Sequence, residues 1–397
     1  MIWLCLSMVV LAFVIVVPLC IAARRLSLRW GLVDKAGTEA HKLALLPGRT
    51  PVPNTGGVAV FAAIAWPMLG VLMGVWLVPA DVWSLLPGVG ADALVTHLPG
   101  LQETTKIGGG LLVALAAMHV MGLIDDRRAL GAWPKLGAQF AAAAGLVLFC
   151  DVRVLSFLGS PDMAGTWGAA ASIVVSVMWI VVITNAMNFL DNMDGLAAGV
   201  GLVAGGLYLA ATLIGGQWFV AGLAALLVGA LLGFLLFNLP PARLYLGDSG
   251  SLVVGLMLAV ISIRTTYIIT NGSAVDAIAS GGVSGANSGG GGGAWYGVLM
   301  PVLVLAVPVY DFTSVTVMRM LAGKSPLQGD HNHFSHRLLR KGLSKRKALT
   351  VILLATLATG LGGVMLGRLT GWQAAIVAAQ AAAVLAMLAL LESGKRG

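Results

Sequence analysis

The residues able to do chemistry in this chain are few, and they gather in four short clusters. Gly122-Leu123-Ile124-Asp125-Asp126-Arg127-Arg128 sets two carboxylates side by side. Adjacent residues on a helix point about 100° apart, so the pair is expected to divide its work. Asn185-x-x-Asn188-x-x-Asp191-Asn192-x-Asp194-Gly195 repeats a polar residue at every third position, which places each side chain beside the next along a helix face. Asn188, Asp191 and Asp194 offer the carboxylate and carbonyl oxygens that a hard cation such as Mg²⁺ takes. Gly247-Asp248-Ser249-Gly250-Ser251 puts a carboxylate and small residues where an apolar run begins. That pattern suits a cation ligand beside backbone N–H groups open to a phosphate, and equally an N-cap. The fourth cluster, Lys324 to Arg337, holds His331, His333 and His336. No cysteine accompanies them, so contact of histidine and arginine with phosphate fits better than zinc.

The elements that must position these clusters are membrane helices. Of the 397 residues 58% are hydrophobic and 10% charged, against about 25% charged in an average soluble domain. Only lipid covers that much apolar surface. Runs long enough to span fall at 2–23, 54–78, 107–124, 135–150, 168–187, 196–214, 217–237, 250–270, 295–318, 348–367 and 371–391. The first lacks a basic lead-in and is followed by Arg24 and Arg25, so it is read as a spanning helix and not a signal peptide. The chain is thus expected to be an all-α integral membrane protein, one polytopic domain of about eleven helices around a cytoplasm-facing cleft. Inner loops are placed at 24–53, 125–134, 188–195, 238–249 and 319–347, and a Gly/Ser-rich outer loop at 271–293.

Charge supports this orientation. Of 24 basic residues, only Lys106, Arg153, Arg264 and Arg368 fall on the predicted outer face; the others lie inside, a strong positive-inside bias. The N-terminus is then outside, the C-terminus inside, and all four clusters share the inner face. The net charge of +8 sits in short inter-helix loops, which excludes nucleic acid as its explanation. Cys5, Cys20 and Cys150 have no metal-ligand spacing and are read as packing residues. Carboxylates, a cation and basic phosphate contacts on one face fit phosphoryl transfer, in which a protein mostly positions groups and neutralises charge.

The four ordered motifs resemble those of the polyprenyl-phosphate N-acetylhexosamine-1-phosphate transferase superfamily, almost end to end. Asp125-Asp126 matches its paired-aspartate motif, the Asn185 to Gly195 run its Asn/Asp motif, and Gly247 to Ser251 its metal-site motif. His333-x-Ser335-His336-Arg337 falls where its histidine motif is expected, although Ser335 replaces a histidine there. Val33-Asp34-Lys35, His41-Lys42 and Pro51-x-Pro53-x-x-Gly56-Gly57 resemble the N-terminal signature. The resemblance implies transfer of a sugar 1-phosphate, GlcNAc 1-phosphate above all, from a UDP-sugar to a polyprenyl phosphate with release of UMP. It implies Mg²⁺, with Mn²⁺ as an alternative, on Asp248 helped by Asn188 or Asp191. Asp125 or Asp126 would deprotonate or position the lipid phosphate, with Asp191, Asp194 and His333 completing the catalytic set. His41, Lys42, Asn185, His336 and Arg337 would bind substrate.

Direct attack and an enzyme-bound intermediate both stay open. Expected partners are the UDP-sugar, the polyprenyl lipid and the plasma membrane, with a homodimer as one assembly and no nucleic acid. The Pro-x-Pro-x-x-Gly-Gly loop and interrupted histidines favour the branch that starts teichoic acid, O-antigen and related polymers. The phospho-MurNAc-pentapeptide transferase of peptidoglycan synthesis is the alternative. A secondary transporter fits less well, because its carboxylates belong near the bilayer midplane within inverted repeats.

Overall fold

In a computed structural model of the chain, the structure describes residues 1–31, 52–83, 91–156, 165–271, 299–325, 333–366 and 369–393. Among these residues the only regular elements are helices: α1 (Ile2–Trp30), α2 (Gly56–Leu77), α3 (Ala80–Trp83), α4 (Ala91–Arg127), α5 (Ala132–Phe149), α6 (Gly165–Leu190) and α7 (Leu196–Ile214), followed by α8 (Trp218–Asn238), α9 (Asp248–Asn271), α10 (Met300–Val304), α11 (Ala306–Leu321), α12 (Phe334–Arg340), α13 (Lys345–Met365) and α14 (Gly371–Ser393). Nine of them (α1, α2, α4, α6, α7, α8, α9, α13 and α14) are long and apolar enough to cross a bilayer. The protein is an all-α integral membrane protein.

The two expected runs that fall short each have a visible cause. α5 is 18 residues long, about 27 Å at 1.5 Å per residue, and Lys135 and Gln139 dilute its apolar face. The 295–318 run is broken at Leu305 into α10 and α11. Pro308 lacks the N–H that would bond back to the Val304 carbonyl, so the ladder is interrupted there. In the other direction α4 begins at Ala91 and not near 107. The polar stretch Gln102 to Lys106 continues the helix instead of forming a loop.

α9 is the axis of the bundle. Its spanning segment is 89% buried, against 22% for α1 and 17% for α14, which face lipid. α2, α4, α6, α7 and α8 all pack on it. Without a hydrophobic drive between helices in lipid, close backbone approach supplies the contact, and small residues permit it. A Cβ on Gly255 of α9 would stand 2.7 Å from Thr184 Cα of α6. α1 lies on α8 through Gly229-x-x-x-Gly233, where a Cβ on Gly229 would meet Ala12 at 2.9 Å. The result is a rigid core of α4, α6 and α9 whose neighbouring ends carry the polar clusters. An apolar cavity of ≈ 180 Å³, lined by Met8, Met68, Leu72, Phe219 and Leu223, lies at the other ends of α2 and α4, away from those clusters.

Candidate active site

Three of the four clusters converge on the first turn of α9. Asp126 enters from the end of α4 and caps that turn. Its carboxylate accepts the backbone N–H of Asp248 at 2.9 Å and of Ser249 at 3.1 Å, together with Asn54 Nδ2 at 3.0 Å. A carboxylate at a helix start satisfies orphan donors and complements the dipole. The N–H groups that the sequence left open to a phosphate are therefore already occupied by Asp126. Two glycines allow this closeness. A Cβ on Gly122 would sit 2.5 Å from Ser249 Cα and 2.6 Å from the Asp248 carbonyl carbon, and one on Gly57 would sit 2.7 Å from the Ser249 carbonyl carbon. His119, buried and stacked on Phe61, reaches the Ser249 carbonyl at 2.9 Å.

Asp248 itself is held from two sides. Asn188 Nδ2 donates to its Oδ1 at 3.0 Å and also to Ser251 Oγ at 2.9 Å. Lys135, at the start of α5, donates to its Oδ2 at 2.6 Å and pairs at the same time with Asp125. Asp125 and Asp248 thus flank the same ammonium, while Asp125 Oδ1 accepts Leu130 N at 2.8 Å. Asp191 Oδ2 takes the N–H of Gly247, at 3.0 Å, just before Asp248. So Asp125, Asp126, Asn188, Asp191 and Asp248 gather at the start of α9, with Lys135 bridging Asp125 and Asp248.

Other expected site residues are engaged elsewhere. Asp194 is buried against Ala242 N (3.3 Å) and Lys345 Nζ (3.2 Å), bracing the α8–α9 connection against α13. Asn185 exchanges amide hydrogen bonds with Gln139 and donates to the Val181 carbonyl at 2.8 Å. Arg337 pairs through Nε with Glu392 at 2.9 Å and donates to Ser314 Oγ at 2.9 Å. His336 lies 6.5 Å from His333, ring to ring. His41 and Lys42 lie outside the described residues.

The histidine cluster is tied to the rest by side chains that spacing alone did not single out. Asp311, fully buried in α11, accepts from Phe334 N at 2.6 Å and holds His333 Nδ1 at 3.0 Å. The imidazole is thereby oriented before any ligand arrives. Ser335, which stands where a histidine was expected, donates to Asn192 Oδ1 in the Asn/Asp motif. The departure from the motif thus serves as a tether between α12 and the end of α6. Lys135, Asn54 and Asp311 were not assigned to the site, because their partners Asp248, Asp126 and His333 lie 113, 72 and 22 positions away. The available signals were weak ones, a lone lysine just after the paired aspartates and an asparagine just before Gly56-Gly57.

The donor set can be tested against a metal. Among the described residues no group of three or more His, Cys, Asp or Glu is arranged to hold an ion by itself. Magnesium does not need one, since it binds through one or two carboxylates, substrate phosphates and retained waters. Asp248, with the Asp125 carboxylate on the other side of the Lys135 ammonium, supplies the anionic oxygen that such an ion requires.

The sequence profile of Glycosyl transferase family 4 matches residues 109–266, which hold the first three clusters but not the histidines. The chain is 26% identical over 367 residues to the "Probable undecaprenyl-phosphate N-acetylglucosaminyl 1-phosphate transferase" of Bacillus subtilis, covering 91% of this chain and 84% of that protein. It is 32% identical over 341 residues to the "Decaprenyl-phosphate N-acetylglucosaminephosphotransferase" of Mycobacterium tuberculosis, covering 81% and 74%. Similarity to the phospho-N-acetylmuramoyl-pentapeptide-transferase of Lactobacillus delbrueckii subsp. bulgaricus, 33% over 191 residues, spans only 46% of this chain. Identity at this level over three quarters of a relative, with the first three motifs meeting at one helix start, decides the matter: the chain belongs to the polyprenyl-phosphate N-acetylhexosamine-1-phosphate transferase superfamily, within glycosyl transferase family 4.

Proposed function

We propose that the protein transfers GlcNAc 1-phosphate from UDP-GlcNAc to a polyprenyl phosphate, releasing UMP, as the first membrane step of an envelope polysaccharide. The observation that carries this reading is Asp248, placed at the buried start of α9 where the paired-aspartate helix, Lys135 and the Asn/Asp motif meet. Relatives named for this transfer align over most of the chain, whereas the pentapeptide transferases align over less than half. Purified protein with Mg²⁺, a polyprenyl phosphate and a panel of UDP-sugars tests it. UMP should appear only with UDP-GlcNAc and only when the lipid phosphate is present.

In this reading Asp248 would hold Mg²⁺, with Asn188 and Asp191 positioning Asp248 and its backbone. The ion would neutralise the donor diphosphate and the leaving UMP. The chain's own groups do the rest. Asp126 has its oxygens taken by three N–H donors and serves to fix the α9 start. Asp125 is held by Leu130 N and a lysine ammonium, and is the carboxylate able to meet the acceptor phosphate. His333, with Nδ1 committed to Asp311, presents Nε2 to a phosphate oxygen.

The two aspartates should therefore fail differently. In Asp126→Asn an amide nitrogen replaces an acceptor facing backbone N–H groups, a buried mismatch that costs about 1–3 kcal/mol of stability. A lowered melting temperature in detergent would register it. Asp125→Asn leaves Lys135 paired with Asp248 and should lower the melting temperature less, but should lower kcat by about 10²–10⁴ if the carboxylate acts as a base. A base is needed most where the acceptor phosphate still carries a proton, so the Asp125→Asn deficit should shrink as pH rises past ~6. Similar melting temperatures and similar kcat losses in both variants would remove the division of roles.

The orientation belongs to the same proposal. The basic bias supports a cytoplasmic Asp248 end of the bundle, the compartment of a nucleotide-sugar donor. In intact cells, single cysteines in the 271–293 stretch should react with a membrane-impermeant thiol reagent, and those at 326–332 should not. Labelling at 326–332 would reverse the topology.

A further inference from the structure

Among the described residues Lys135 is the one cation in contact with both Asp248, assigned to the metal, and Asp125, and it reaches them from a helix that carries none of the four motifs. Its ammonium donates to Asp248 Oδ2 at 2.6 Å and pairs with Asp125, while its side chain remains a quarter exposed. Two facing carboxylates repel unless a positive charge lies between them. The ammonium supplies that charge from the site itself. A divalent ion on Asp248 needs the space and the oxygen that the ammonium holds, so lysine and metal exclude one another.

We propose that Lys135 is an internal counter-ion that occupies the metal position between turnovers and is displaced when the divalent ion binds. This rests on the assignment of Asp248 as metal ligand. Asp248 is fixed from behind by Asn188 and by the Asp126-capped turn, so the carboxylate stays in place during the exchange and the lysine moves. The solvent-exposed quarter of its side chain gives it a direction in which to leave. The arrangement has two consequences. The site remains folded without metal, and metal affinity is held below what the bare carboxylates would give. The freed ammonium is then next to the bound ion, where the donor diphosphate carries charge to be met.

The test is Mn²⁺ binding to detergent-purified wild type, Lys135→Gln and Asp248→Asn, read by the electron paramagnetic resonance signal of free Mn²⁺ without substrate. Lys135→Gln should bind Mn²⁺ on the order of tenfold more tightly than wild type, within the usual range of coupling between two competing ligands. It should also melt lower than wild type in EDTA and gain more from added Mn²⁺. Unchanged or weaker Mn²⁺ binding in Lys135→Gln, with binding lost in Asp248→Asn, would overturn the counter-ion and leave the metal assignment standing. Wild-type affinity in Asp248→Asn would overturn the metal assignment and the counter-ion with it. Should Lys135→Gln not fold, wild type alone decides: acetylation of Lys135, followed by peptide mass spectrometry, should be several-fold faster with Mg²⁺ than with EDTA. Equal rates would sink the proposal.

Discussion

Asp248→Asn should reduce UMP release by at least about 10³-fold at saturating Mg²⁺ while leaving the melting temperature within a few degrees of wild type. The asparagine keeps an oxygen to accept from Asn188 and keeps the backbone N–H that Asp126 caps, so the first turn of α9 is preserved. What disappears is the negative charge facing Asp125 across Lys135. A neutral amide is a poor ligand for a hard cation that selects anionic oxygen. Stabilisation of charge at a transferring phosphoryl group is usually the largest single contribution to such a reaction. Raising Mg²⁺ tenfold should recover little, because the ligand and not the occupancy has changed. Activity within tenfold of wild type would remove Asp248 from the metal site.

Gly122→Ala should be nearly as damaging, for a steric reason. The new methyl carbon would fall 2.5 Å from Ser249 Cα and 2.6 Å from the Asp248 carbonyl carbon. Both neighbours are backbone, so no rotamer change relieves the contact. α4 and α9 must separate, and the Asp126 cap must lengthen by a comparable amount. Overpacking of this kind costs about 1–3 kcal/mol, and a misplacement of about 1 Å at a reacting group can cost 10²-fold in rate. The expected result is a melting temperature lowered by several degrees and kcat reduced by at least about 10²-fold. Gly109→Ala, on the same helix with nothing within 4 Å of the added carbon, is the control and should be close to neutral. Comparable behaviour of the two variants would contradict the close packing of α4 on α9.

The membrane helices were legible because a bilayer imposes one strong rule, about 20 apolar residues per span. The 196–214 run became α7 (Leu196–Ile214) without change. Runs failed where composition and backbone geometry diverged. Pro308 splits an apolar stretch that hydropathy alone reads as continuous, and Gln102 to Lys106 extends a helix that hydropathy alone would end. The paired aspartates, Asn188, Asp191 and Asp248 stood out because carboxylates beside hydrocarbon are rare. Their partners did not. Lys135 looked like one more inner-loop charge, and Asn54 like a spacer. Asp311 had no assignable role until His333 was found against it. Asn185, Asp194 and Arg337 carry the right chemistry, yet each has structural partners of its own, Gln139, Lys345 and Glu392. Local spacing reports which side chains share a helix face; it does not report which helix that face meets.

The cap that Asp126 places on α9 joins residues 122 positions apart. During synthesis at about 5–20 residues per second, roughly 6–24 seconds separate the emergence of the two. Throughout that interval α4 must wait in the membrane with an unsatisfied carboxylate pair at its end, while α5 to α8 are made. Arg127 and Arg128 emerge directly behind the pair, and Lys135 follows ten residues after Asp125, the carboxylate it pairs with in the folded protein. The order of residues along the chain thus supplies α4 with counter-charges before α9 arrives, and a ribosome stalled before Asp248 leaves Asp126 without the helix start that it caps.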